Sequence, residues 1–200
     1  MSPVTTPQRI GLLGGSFNPA HEGHLHISTL ALEQLNLDQV WWLVSLQNPL
    51  KPLAGMASFA DRFRQARKIA AVDRRIVVSD FEEKASSRYT VDTIAALKAQ
   101  FPGVSFVWVM GSDLLPQMPH WKRWRQLFRT LPIAIFARPA YSSRALSSKA
   151  ARRFAASRVA RFRSSALADM RPPAWAFLRT RLNRESATRI RAENGTMRKK

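Results

Sequence analysis

Five short apolar runs alternate with helix-period segments along the first 140 residues, and this alternation limits the chain more than any other feature. The runs are "RIGLLGG", "QVWWLVSL", "RRIVVSDF", "VSFVWVMG" and "LPIAIFARP". Branched and aromatic side chains fill them and Gly, Ser, Asp or Pro closes them, the pattern of strands buried on both faces. Between the runs, Leu25, Ile27, Leu30, Ala31, Leu32 and Leu35 fall on one broad helical face over 22–36. "SFADRFRQARKIAAV" follows Ser58 as N-cap, and "TVDTIAALKAQF" stops at Pro102-Gly103. "HWKRWRQLFRT" predicts one short amphipathic helix with Trp121 and Trp124 on the same face. Strands alternating with helices predict an α/β fold, a doubly wound parallel sheet with helices on both faces. A length of 200 residues suits a single domain. It divides into a core over 9–140, a basic insertion over 141–171 and a small, partly helical C-terminal part over 172–200.

Charge is the second constraint. The net charge of +19 is concentrated late: residues 141–200 hold 16 Lys and Arg against 3 Asp and Glu, and residues 1–140 hold 16 against 10. A charge run of this kind is more often a solvated face than a binding surface. The segment 141–171, rich in Ser, Ala and Arg, predicts one or two basic surface helices or a mobile insertion. No cysteine is present. That removes disulfides, thiolate metal sites and thiol nucleophiles, and suits the reducing cytoplasm. The opening "MSPVTTPQ" lacks the pattern of an export signal, and no run approaches the ~20 apolar residues that span a bilayer. No membrane association is expected.

The chemistry gathers in "GGSFNPAHEGH", residues 14–24, at the carboxyl end of the first strand. In parallel sheets ligands bind at such ends, where helix N-termini offer unpaired N–H groups and a positive dipole. Gly14 and Gly15 are expected to let the chain approach a ligand closely, and Pro19 to stiffen the turn. His21 and His24, three apart around the helix start, can face the same side. Two imidazoles and several amides would then converge on one anion, a phosphate site. Other readings lack their residues: there is no G-x-x-x-x-G-K-[ST] loop, no G-x-G-x-x-G, no H-E-x-x-H and no G-x-S-x-G elbow.

"GGSFNPAHEGH" resembles the G-x-F-x-P-x-H-x-G-H signature of the HxGH nucleotidyltransferase superfamily. "SRYTVDTI", "VWVMGSDLLPQMPHWKRW" and "ESATRIR" are similar to later motifs of the bacterial nicotinate-nucleotide adenylyltransferases, and "NPLKP" falls where these enzymes have a lysine-bearing loop. The resemblance implies a Rossmann-like sheet of the nucleotidylyl transferase type. It also implies transfer of the adenylyl group of ATP, with Mg²⁺, to nicotinic acid mononucleotide in NAD biosynthesis. His21, His24, Lys51 and Arg191 would then be catalytic. Gly14, Gly15, Ser16, Phe17, Gly111, Asp113, Arg138, Ser186 and Thr188 would join His21, His24 and Arg191 around ATP. Ser16, Phe17, Lys51, Thr90 and Trp121 would hold the nicotinate nucleotide, Trp121 by stacking on its ring.

Without that resemblance, Trp121 reads equally as core, Asp113 and Thr90 as helix caps, and Lys51 as a solvated loop lysine. Asn18 stands where the signature carries Asp, and Glu185 where an apolar residue is common. The stretches 88–94 and 111–124 argue against the phosphopantetheine and FMN adenylyltransferases that share the histidine motif. From another class, a nucleic-acid-binding protein would use the Arg-rich 144–163 region. Monomer and homo-oligomer are both compatible with the sequence.

Overall fold

The computed structural model describes residues 8–46, 55–138 and 141–179. Among them, seven strands form one all-parallel sheet: β1 (Arg9–Gly15), β2 (Gln39–Val44), β3 (Ile76–Ser79), β4 (Ser105–Gly111), β5 (Ile133–Phe136), β6 (Arg158–Val159) and β7 (Trp175–Leu178). Their order is β3-β2-β1-β4-β5-β7-β6. The five apolar runs are β1 to β5, and the short strand expected in "PPAWAFLRTRL" is β7. The two-residue edge strand β6 has no counterpart in the sequence reading, because two residues carry no period. The chain runs outward from β1 to β3 on one side and from β4 to β5 on the other, where β6 forms the edge and β7 returns between it and β5, so β1 and β4 flank the point where strand order reverses.

Strand side chains alternate between two cores, as a period of two requires. Leu13, Val107, Val109, Ala134, Phe136, Ala176 and Leu178 enter one core, under α1 (Glu22–Gln34) and α2 (Phe59–Ala70). Ile10, Leu12, Phe106, Trp108, Met110, Ile133, Ile135, Trp175 and Phe177 enter the other. That second layer is covered by α4 (Thr90–Gln100) and α5 (Trp124–Thr130), with the one-turn α3 (Phe81–Lys84) beside β2. Each fully buried Leu, Ile or Phe in these layers contributes about 1.5–3 kcal/mol by leaving water.

The basic segment is part of both layers. Of the alternatives of one or two surface helices or a mobile insertion, it forms two short helices, α6 (Ser142–Leu146) and α7 (Lys149–Arg153), and they place Ala145, Ala150, Ala151 and Phe154 in the second core. A 3-10 turn over Arg161–Asp169 returns Leu167 and Ala168 to the first core. Arg9 grips Asp169 through two hydrogen bonds of 3.1 and 2.8 Å, and Trp175 Nε1 donates to Phe154 O at 2.7 Å. The segment therefore wraps the β6 edge, with its charges outside. No helix of the described residues is long and apolar enough to cross a membrane. The helical start expected in "ESATRIR" lies outside the described residues.

Candidate active site

At the end of β1 the chain turns through Ser16 and Phe17 into α1. Phe17 sits in the left-handed region, φ 46°, which costs a non-glycine residue roughly 1–2 kcal/mol. Burial offsets this: its ring is 1% exposed, stacks on Trp42 at 5.0 Å and meets the His24 ring at 4.7 Å. Trp42 is itself fixed to α1 by its Nε1 donating to Ser28 Oγ at 2.7 Å.

The two histidines cap α1 reciprocally. Gly23 N donates to His21 Nδ1 at 3.1 Å, and His21 N donates to His24 Nδ1 at 3.2 Å. This is a capping box in which imidazoles replace the usual Ser and Glu. An imidazole that accepts at Nδ1 carries its proton on Nε2, so the cap sets the tautomer of both rings. Their centroids are 3.9 Å apart. Burial, and secondarily the charge of Arg138, push the His21 pKa down to about 4. His21 is thus neutral at pH 7 and presents an Nε2–H donor, not a cation.

Neighbouring strand ends complete the arrangement. Arg138, just beyond β5, pairs with Asp113, just beyond β4, at 3.3 Å. Ser112, fully buried, joins the two strands: its N–H donates to Phe136 O at 2.8 Å and its Oγ accepts from Arg138 N at 2.9 Å. Gly111 is required by this pair, since a Cβ there would lie 2.5 Å from Asp113 Oδ1 and 2.6 Å from Arg138 Nε. Asp113 is no helix cap; the nearest helical turn begins at Met118, with Gln117 before it. Gly14 has a structural reason as well. A Cβ on Gly14 would fall 2.4 Å from Trp108 Cη2, so the missing side chain makes room for an indole.

Beside Trp108 lies Trp121, half-buried and edge-on to it at 6.3 Å. The single helix expected over 120–130 is broken. A 3-10 turn covers Met118–His120, Trp121 is extended, Arg123 is left-handed at φ 49°, and α5 starts only at Trp124. Trp121 and Trp124 consequently part, the latter packing on Phe128 and Phe154. Asp92 in the first turn of α4 binds both Lys122 and Arg123, and Lys122 Nζ lies 4.1 Å from the centre of the Tyr89 ring. These contacts tie the start of α4 to the two residues that follow Trp121. Thr90 is the first helical residue, and Tyr89 occupies the cap position without a side-chain bond.

Lys51, Ser186, Thr188 and Arg191 lie outside the described residues. Among those described, no group of three His, Cys, Asp or Glu is placed to hold a metal ion.

The chain matches the cytidylyltransferase-like family model over residues 12–193. It is 50% identical over 192 residues to a "probable nicotinate-nucleotide adenylyltransferase" of Parvibaculum lavamentivorans, spanning 96% of this chain and 95% of that one. A protein of the same name from Gluconobacter oxydans is 50% identical over 190 residues, 95% and 96% of the two chains. The chain belongs to the nicotinate-nucleotide adenylyltransferases of the cytidylyltransferase-like family. The fold of this adenylyltransferase is also that of the Plasmodium falciparum nicotinic acid mononucleotide adenylyltransferase solved with NaAD, at TM-score 0.70 and 17% identity over 92% of this chain and 83% of that one.

Arg62 and Glu82 of the adenylyltransferase escape the sequence reading, whereas Asn18 stands out there as a departure from the signature that still hydrogen-bonds around the turn. Asn18 spans to the far side of the 47–57 segment: its Oδ1 accepts from Ala57 N at 3.2 Å and its Nδ2 donates to Gly55 O at 3.1 Å. An Asp in its place could make the first bond but not the second. Arg62 is 2% exposed within α2. The signal was present, because Phe59, Arg62, Ala66 and Ala70 form a helical stripe with an arginine at a core position. Glu82 is 7% exposed, beneath Thr93, whose hydroxyl lies 3.4 Å from its carboxylate. Burial pushes the Glu82 pKa up to about 7. Nothing local distinguishes Glu82 from its exposed neighbour Glu83.

Proposed function

We propose that this chain transfers the adenylyl group of ATP to nicotinic acid mononucleotide, giving nicotinic acid adenine dinucleotide and pyrophosphate. The observation that carries the reading is the reciprocal histidine cap at the end of β1, which fixes two Nε2–H donors on one helix start. Phosphate oxygens accept such donors, and neutral imidazoles provide them without requiring a buried cation. The match at 50% identity to proteins of that name supports the choice of substrates.

In this reading a phosphate oxygen of the mononucleotide attacks the α-phosphorus of ATP. The bond from that phosphorus to the oxygen bridging toward the β-phosphorus breaks, and pyrophosphate leaves with the electron pair. The nucleophile is already anionic, so no protein base is needed; position and charge stabilisation are what the residues supply. His21 and His24 stabilise the pentacoordinate phosphorus. Arg138 supplies positive charge to the same space, while Asp113, which it orients, addresses a ribose hydroxyl of ATP. Gly14, Gly15, Ser16, Phe17 and Gly111 contribute backbone groups around the phosphates. Lys51, Arg191 and the amides at Ser186 to Thr188 offset charge on the leaving pyrophosphate. Trp121 stacks on the nicotinate ring and Thr90 addresses its carboxylate. The N–H groups fit phosphate oxygens, the Asp113 carboxylate is held by Arg138 and faces a ribose hydroxyl instead, and magnesium enters with ATP as the MgATP substrate. The reaction belongs to NAD biosynthesis in the cytoplasm.

The test is pyrophosphate release from MgATP with nicotinic acid mononucleotide, its amide analogue or phosphopantetheine, with His24→Ala as control. Release with the acid alone, lost in the variant, is expected. Release with phosphopantetheine alone, or with none of the three, would overturn the reading.

A further inference from the structure

The buried guanidinium of Arg62 is engaged by carbonyl oxygens. Nη1 donates to Ser16 O at 2.7 Å and to Ser45 O at 2.8 Å, Nη2 to Leu46 O at 3.2 Å, and Nε to Ala57 O at 3.1 Å. Among the described residues no carboxylate pairs with it. A buried cation without an anion is costly, and an apolar side chain of similar volume commonly serves packing as well or better. Packing alone therefore does not explain an arginine here.

Its partners suggest what it does. Ser16 follows β1 in the turn that leads to the histidines, Ser45 and Leu46 follow β2, and Ala57 precedes α2. One planar fork thus reaches three separate segments, which the single-point ammonium of lysine cannot reproduce. Ala57 is held a second time, through its N–H to Asn18. The chain between Leu46 and Ala57, which carries Lys51 in its sequence, accordingly leaves and returns at points fixed relative to the turn after β1. There is also an electrical consequence. Ser16 C=O and Phe17 N–H belong to one peptide unit, and a cation on the oxygen strengthens the N–H as a donor.

We propose that Arg62 is a positioning residue for adenylyl transfer: it ties the turn after β1 to both flanks of the Lys51-bearing segment and polarises the Ser16–Phe17 peptide toward a bound phosphate. The proposal rests on the adenylyl-transfer reading above for its catalytic part, whereas the tie between segments stands apart from it.

The experiment compares Arg62→Lys and Arg62→Ala with wild type in pyrophosphate release, thermal melting and amide hydrogen exchange. Both variants are expected to melt above the assay temperature and to exchange faster at residues 55–57 while the β1–β2 ladder stays protected. Their kcat should fall about 10- to 100-fold, the scale of a small misplacement of reacting groups. Millimolar guanidinium ion should restore part of the kcat of Arg62→Ala, and methylammonium should not. Wild-type kcat in a folded variant would overturn the proposal, and so would a loss that guanidinium leaves unchanged and that tracks melting. If wild type itself releases no pyrophosphate, the functional reading fails, and exchange alone decides the tie: acceleration at 55–57 upholds it and unchanged exchange overturns it.

Discussion

The turn after β1 and the segment 141–171 both carry polar side chains, and they use them in opposite ways. The segment carries eight Lys and Arg against one acid, and every one of those cations is exposed. Its buried residues are Ala145, Ala150, Ala151, Phe154, Leu167 and Ala168, which close the sheet edge, together with Ser164. Around the turn the polar groups are few, but Ser16, His21 and Arg62 are each less than a tenth exposed. His21 and Arg62 have their orientation fixed by hydrogen bonds to backbone groups. A charge in water is screened and conformationally free, so eight of them define little. A desolvated, hydrogen-bonded group acts in a low dielectric from one place. Charge density within 141–171 therefore marks a solvated face, and the candidate site is marked by burial instead.

The contrast can be broken most directly at His24. His24→Ala should lower kcat/KM for pyrophosphate release by about 10²–10³, the scale of removing one preorganised donor, and cost about 0.5–2 kcal/mol of stability through the broken cap. An effect below fivefold would put the donor pair outside the chemistry. Gly14→Ala examines the packing beneath the same turn. The added methyl must displace the Trp108 ring, and a loss of about 1–3 kcal/mol in urea unfolding is expected.

Glu82 makes the cost of burial depend on pH. Its carboxyl titrates near 7 in the fold against an ordinary 4.5, so the folded state keeps a proton that the unfolded chain releases. This contribution is full below 4.5 and is lost as pH rises through 7. Glu82→Gln cannot ionise, and should gain on wild type by on the order of 2 kcal/mol between pH 5 and pH 8. His21 titrates in the opposite sense. Its lowered pKa makes stability fall as pH drops from 6.5 toward 4, but that loss is common to both proteins and cancels in the difference. Parallel pH–stability curves for the two would show that Glu82 is ionised as usual.

Smaller effects are expected farther out. Trp121→Ala should raise KM for the mononucleotide about tenfold, as loss of one aromatic stack would, and leave KM for ATP within about twofold. At the bottom of the scale, replacing Arg152, Arg161 and Arg163 together by Gln should keep kcat/KM within about twofold, and each change should alter stability by less than about 0.5 kcal/mol. A large loss of activity in that triple variant would overturn the contrast between the two regions.

Much of this was legible beforehand, and for a local reason. The strands β1 to β5 and the helices α1, α2 and α4 rest on periods of two and 3.6 that a few neighbouring residues express. Ser58 caps α2 as expected, its Oγ accepting from Asp61 N at 3.1 Å. The helix over 120–130 failed where the period was ambiguous and a distant group, Asp92, drew Lys122 and Arg123 to itself.

By itself, then, the sequence determined the alternation of strands and helices and the glycine and histidine spacing at the end of the first strand, because both are patterns within one element and its next turn. Only the tertiary structure decided that Gly14 yields its space to Trp108, that Gly111 yields its own to the Asp113–Arg138 pair, that Arg62 joins three segments and that Glu82 is buried while Glu83 is not. Each of those depends on residues far apart in the chain meeting at strand ends, and the meeting is set by sheet order, which no local period encodes.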